Sequence, residues 1–247
     1  MNILDVTSEN VAVRGFFCYM SKKKSQGYKR KLEWLRQRFS EGMRIKLLEL
    51  PDRGFIEYIP GEYAWRAVDA KGYMFIHCLW VVGKSKGKGY ASALLDECLR
   101  DAKAAKMKGV AMLTSEKNWL LKKRFLEKHG FERVADAPPS FSLMVKRFGK
   151  AKYPSLLDNS DTIRKRYGKG MAVFRSDQCP YIEDAAQAAL NAAANAGISS
   201  RTVELKSADD VRKLSPSPFG VFGIVLDGRL LSYHYMLEKD LVPSLSR

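Results

Sequence analysis

Apolar residues between positions 54 and 82 fall into short runs separated by turn signals. Phe55-Ile56-Glu57-Tyr58-Ile59 leads into a Pro60-Gly61 turn, a second run covers 63–68, and a third covers 73–82. Aromatic and β-branched runs bounded by Pro and Gly predict three strands of an antiparallel meander. The period then changes. Ala91, Leu94, Leu95, Cys98, Leu99 and Ala102 recur at i, i+3, i+4, i+7, i+8 and i+11, which is one face of a helix. Gly109 closes that segment, 110–113 predicts a short strand, and 119–129 predicts a helix stopped by Gly130. A helix over 29–39, with Leu32, Leu35, Arg36 and Phe39 at helical spacing, precedes the meander, and a strand over 141–145 follows it.

Residues 149–170 hold Pro154, Gly168 and Gly170 among polar and basic residues with no sustained apolar period, which predicts a linker. Beyond it the order is strand (171–174), helix, strand (202–205), short helix (208–214) and two strands around Asp227-Gly228. In the long helix Ile182, Ala185, Ala186, Ala189, Leu190 and Ala193 share a face. The expected division is a domain over 1–148, a linker over 149–170 and a smaller domain over 171–247. A length of 247 residues suits two domains.

A hydrophobic fraction of 46% with 12 Phe, 11 Tyr and 4 Trp argues against disorder. No stretch is long and apolar enough to cross a membrane, and residues 1–5 lack the basic-then-apolar pattern of an export signal. Cys18, Cys78, Cys98 and Cys179 are too widely spaced for a metal or dithiol motif. The expectation is a cytoplasmic protein with reduced thiols and no metal. The 43 Lys and Arg exceed the 27 Asp and Glu, giving a net charge of +16 that attracts anions. Basic clusters at 22–24, 29–31, 122–124 and 164–166 are spread over different elements, which speaks against one nucleic-acid-binding face.

One anion site stands out. Lys86-Gly87-Lys88-Gly89-Tyr90-Ala91 lies between a predicted strand and a predicted helix, where glycines let backbone N–H groups converge and the helix N-terminus adds partial positive charge. The preceding meander and the missing acidic residue argue against a dinucleotide fold, and no G-x-x-x-x-G-K-[ST] occurs. The loop resembles the [QR]-x-x-G-x-[GA] signature of the GNAT acetyltransferases at Lys86, Gly89 and Ala91, with Lys in place of Gln or Arg. Glu127-Lys128-His129-Gly130-Phe131 is similar to the family's helix ending in Gly-Phe. Nearly the whole chain resembles the YoaP-type members, which add a C-terminal domain.

The resemblance implies an α/β (α+β) GNAT fold, a mixed and mostly antiparallel sheet flanked by helices, followed by a small thioredoxin-like domain. It implies N-acetyl transfer from acetyl-CoA, the cosubstrate, to an amine-bearing acceptor, either a small molecule or a protein. Leu79, Trp80 and Val81 would meet the pantetheine arm, Gly87, Lys88, Gly89, Tyr90, Ala91 and Ser92 would cradle the pyrophosphate, and Asn118 would contact the cofactor. Where many members carry a Tyr acid, five residues before the Gly-Phe phenylalanine, this chain has Leu126.

Acetyl transfer needs a neutral amine, so a base is sought. His77 precedes the loop on a strand and shares an expected face with Phe75, Leu79 and Val81; it is either that base or a hydrogen-bonded core histidine. Glu57, a carboxylate on an otherwise apolar strand, is the second candidate, its alternative being a solvent-facing edge position. Cys179-Pro180-Tyr181, before the second domain's helix, looks like the start of a glutaredoxin motif with Ile182 replacing the resolving cysteine. Ser217-Pro218 resembles that fold's cis-proline position. A reactive thiol at Cys179 or a degenerate domain are both compatible with this. The rival functions are thus a thiol-based redox or sensing protein and a basic nucleic-acid binder. The missing second cysteine opposes the first and the scattered charge opposes the second.

Overall fold

The structure, a computed structural model, describes residues 1–117 and 120–245. The chain divides into two compact units. The first comprises Met1–Ser21, Leu32–Ala64 and Val68–Leu156, and the second Lys22–Lys31, Trp65–Ala67 and Leu157–Arg247.

In chain order the first half runs β1 (Ile3–Val6), α1 (Val11–Arg14), α2 (Gln26–Phe39), β2 (Arg44–Leu48), β3 (Gly54–Pro60), β4 (Val68–Asp69), β5 (Met74–Val81) and α3 (Tyr90–Ala104). Then follow β6 (Gly109–Ser115), α4 (Lys123–Glu127), β7 (Glu132–Ala137), β8 (Phe141–Arg147) and β9 (Ser155–Leu156). Seven strands form one sheet in the order β1-β2-β3-β5-β6-β8-β7. Every pair is antiparallel except β5 with β6, which is parallel and needs the α3 crossover.

The apolar stripe read from the sequence explains the packing of α3. Leu94, Leu95, Cys98 and Ala102 are buried and share a core with Ile56, Tyr58, Met74, Ile76, Leu79, Val110 and Met112 from the sheet. Leu126 of α4 and Phe131 complete it.

The middle strand of the expected meander is absent. Gly61–Tyr63 forms a 3-10 turn, and among 63–69 only the two residues of β4 are strand, pairing with β9. Ala64, Trp65, Arg66 and Ala67 are all buried, so this stretch lacks the alternating exposure of a one-sided strand. Among the described residues of the expected helix over 119–129, only α4 is helical. Lys122 is extended, and Leu121 accepts a hydrogen bond from the backbone of Ser115, which ties 121–122 back to β6.

In the second half, α5 (Ser160–Arg166) and β9 occupy much of the expected linker. They precede β10 (Met171–Arg175), α6 (Ile182–Asn195), β11 (Ser200–Glu204), α7 (Ala208–Leu214), β12 (Phe222–Leu226), β13 (Arg229–Ser232) and α8 (Glu238–Leu245). The sheet order is β11-β10-β12-β13, with β10 parallel to β11 and antiparallel to β12. The alanine face of α6 is buried together with Val173, Phe222, Ile224 and Leu241. Ser207 and Asp210 form a reciprocal capping box at α7. The cis peptide bonds among the described residues are Leu50–Pro51 and Pro138–Pro139, so Ser217–Pro218 is trans, unlike the position it resembles.

Candidate active site

The site is organised by an irregularity in β5. Across β3 and β5, Glu57 pairs with Cys78 and Tyr58 with Ile76, so the register skips His77. Such a bulge reverses the faces of the residues beyond it. Met74, Ile76 and Leu79 therefore belong to one core, whereas Phe75 and His77 lie on the other face, where the Trp34 ring of α2 is 6.3 Å from His77. The expectation that His77 shares a face with Leu79 and Val81 is thus corrected by the bulge.

Parallel pairing of β5 with β6 is confined to Met74–Ile76 against Val110–Met112. Past the bulge β5 stays paired only with β3 and β6 only with β8. The two strands part, and Leu79, Trp80 and Val81 line a cavity of about 500 Å³. Its other walls are the loop after β5, the first turn of α3, and Leu120, Leu121, Lys122 and Phe125.

The loop has the local geometry its glycines predict. Gly83, Gly87 and Gly89 have φ of +59°, +79° and +77°, and a Cβ on any of them would meet nothing within 4 Å, so these three positions are left-handed and the surface beside them is open. Gly89 is the N-cap of α3 and supplies no side-chain acceptor. The first-turn N–H groups of α3 therefore lack a side-chain cap at the cavity wall, with Lys86 beside them. This donor set suits an anion such as a pyrophosphate.

Of the residues singled out by sequence, Leu79, Trp80, Val81, Lys86, Gly87, Gly89, Tyr90, Ala91 and Ser92 line this one cavity. Lys88 does not; its Nζ lies 3.4 Å from Asp52. Asn118 lies outside the described residues. His77 and Glu57 come together, Nδ1 to Oε1 at 3.3 Å, but both side chains are buried and neither lines the cavity. Glu57 sits on a strand inside the sheet and is 2% exposed, which overturns the edge alternative. Leu126 is core.

Three polar residues of the site escaped the sequence reading. Asp52, in the turn before β3, accepts hydrogen bonds from Ser85 Oγ at 3.0 Å and from the Tyr90 hydroxyl at 2.8 Å. Ser85 Oγ in turn accepts from the Arg53 backbone N–H at 2.9 Å. The Tyr90 hydrogen bond, seconded by Ser85 and Lys88, holds Asp52 below the usual carboxylate range, and the carboxylate pushes the Tyr90 phenol up. His129 packs its ring 4.4 Å from Phe125 and places Nδ1 2.8 Å from the Phe125 carbonyl and Nε2 2.9 Å from Ser92 Oγ. A carbonyl only accepts, so Nδ1 carries the proton, and in the neutral ring Ser92 donates to Nε2. Only the Gly-Phe context of His129 was a signal; Asp52 had none.

The Acetyltransferase (GNAT) family profile matches residues 19–131. The chain is also 31% identical over 242 residues to the "Uncharacterized N-acetyltransferase YoaP" of Bacillus subtilis (strain 168), a match covering 96% of this chain and 95% of that protein. The chain belongs to the GNAT acetyltransferase family. Solved structures similar to it include the ribosomal-protein-alanine N-acetyltransferase from Brucella melitensis (14% identity, 60% of this chain and 100% of that one, TM-score 0.44). An aminoglycoside 6'-N-acetyltransferase complexed with coenzyme A is 14% identical over 62% of this chain and 100% of that one, with a TM-score of 0.45. As a GNAT protein the chain is an acyltransferase, and the cavity lies in the region its family profile covers.

Proposed function

We propose that the cavity binds acetyl-CoA, with the pyrophosphate on the backbone from Gly87 to Ser92 and the pantetheine arm along Leu79, Trp80 and Val81, and that the acetyl group passes to an amine. The observation that carries this reading is the uncapped N-terminus of α3, which continues directly from a left-handed glycine loop at the place where β5 leaves β6. Bound acetyl-CoA supplies an activated thioester carbonyl. The chain orients it: β5 offers an edge unpaired toward β6, and Lys86 and the loop amides hold the phosphates. The acceptor amine attacks the carbonyl as the C–N bond forms and the C–S bond breaks, its lost proton going to a base and a proton reaching the leaving sulfur. With Leu126 in the core, that second proton comes from water or from a tyrosine elsewhere. Asn118 is assigned to cofactor contact on the family resemblance alone.

The base we assign is His77, with Glu57 Oε1 3.3 Å from Nδ1 to orient the ring. Its burial favours a second reading, a structural pair that holds the bulge. The acceptor is a small-molecule or protein amine, and the wide spacing of the four cysteines fits a reducing cytoplasm.

For residues 171–247 we propose a thioredoxin-like domain, supported by the strand order β11-β10-β12-β13 and by Cys179 between β10 and α6. Cys179 stands two residues before the N-cap of α6, and no cavity-lining residue comes from this unit.

Three outcomes are expected. Gly89→Glu places a carboxylate against the pyrophosphate and strains a left-handed position, so calorimetric titration should show a loss of CoA affinity of roughly 100-fold or more; unchanged affinity would remove the loop assignment. For His77→Gln, turnover should fall roughly 100-fold and lose its dependence on the acidic side of the pH–rate profile. A variant that melts earlier yet keeps the wild-type profile would return His77 to the core. Burial raises the Cys98 thiol well above its usual range, so half-buried Cys179 should alkylate much faster than Cys98. Equal labelling rates would rule out an activated thiol at 179.

A further inference from the structure

The loop that follows β5 is glycine-rich, and an anion site gains affinity when its donors are fixed before the ligand arrives. The restraint lies outside the motif, in the turn before β3. Asp52 accepts from Ser85, which is 3% exposed and in the 3-10 turn at the start of the loop, and from Tyr90, the first residue of α3. One carboxylate thus joins both ends of the segment from Ser85 to Tyr90. The Arg53 N–H to Ser85 bond and a backbone bond from Val82 N–H to the Arg53 carbonyl (3.0 Å) fix the same turn to the strand end. Lys88, inside the segment, also approaches the carboxylate, and its Nζ stands 5.6 Å from the Tyr90 ring centroid.

The sign of the charge is informative. By Coulomb's law alone a carboxylate beside a pyrophosphate site weakens binding, so its position there calls for a compensating effect. We propose that Asp52 is a positioning residue for acetyl-CoA: it holds the two ends of the phosphate loop in the conformation that presents the backbone N–H groups, acting through Ser85 and Tyr90 and without touching the cosubstrate. This rests on the reading that the loop binds the CoA pyrophosphate.

The two views differ in the direction of one measurement. Asp52→Asn keeps the shape but removes the charge and one acceptor site. If Asp52 positions the loop, CoA should bind about tenfold more weakly by calorimetry, and the KM for acetyl-CoA should rise by a similar factor with kcat unchanged. S-acetyl-pantetheine, which lacks the pyrophosphate, should be used by the variant as efficiently as by wild type, within about twofold. Tyr90→Phe should reproduce part of the loss, and the double variant should lose less than the sum of the two. Asp52→Glu, with the carboxylate retained on a longer arm, should recover part of the affinity if Asp52→Asn proves poorly folded. Wild-type binding with equal or tighter binding by Asp52→Asn would overturn the positioning role alone. A wild-type protein that does not bind CoA would overturn the loop assignment and this role with it. Equal loss with S-acetyl-pantetheine would show a general disturbance of the fold and likewise overturn the role.

Discussion

The single skipped residue in β5 governs where chemistry is possible in this chain. Up to Ile76 the strand is an ordinary interior member of the sheet, paired with β3 on one side and β6 on the other. With His77 left out of the register, the strand changes face and its bond to β6 ends. A closed sheet has no room for a ligand between neighbouring strands, because their backbone groups satisfy one another. Here the parted strands expose one edge, and the cavity forms against it. The same irregularity puts a histidine and a glutamate side by side on the opposite face, among aromatic rings. Buried polar groups of that kind persist when they meet a partner, and these two do.

What β5 opens, α3 completes. The crossover demanded by a parallel pair brings a helix N-terminus to the end of the strand, and the glycine loop lets it start without a side-chain cap. The charge distribution is graded rather than uniformly positive: exposed lysines surround the loop, while Asp52 lies behind it with its acceptors engaged by Ser85, Tyr90 and Lys88. The net charge of +16 is therefore a background attraction for anions, and the fixed backbone donors supply local selectivity.

Much of this was legible because it depends on local pattern. The stripe of α3, the strands around Phe55 and Phe75, and the glycine loop all follow from spacing and turn chemistry within a dozen residues, and nine of the predicted cofactor-side residues meet in one cavity. What escaped depends on register or distance. The bulge adds one residue to one strand and leaves no mark in the hydropathy of 73–82, so the face of His77 was misassigned. Asp52 lies 33 positions from Ser85 and 38 from Tyr90, and nothing in its own neighbourhood distinguishes it from an ordinary turn aspartate. Tyr63 and Trp65 imitated a strand because their alternation is aromatic, yet the stretch from Ala64 to Ala67 is buried on both sides. Of the helix expected over 119–129 only α4 forms among the described residues, because Leu121 is tied back to β6 and Lys122 is extended, while Leu120, Leu121 and Phe125 line the cavity.

The central claim is that an opened strand edge and an uncapped helix start form one binding site for a pyrophosphate-bearing thioester. A crystal structure of the protein with CoA tests it most directly. The account predicts phosphate oxygens within hydrogen-bonding distance of backbone N–H groups between Gly87 and Ser92, with the pantetheine arm running beside Leu79, Trp80 and Val81. A pyrophosphate bound elsewhere, or a pantetheine arm that leaves the edge of β5 untouched, would contradict it.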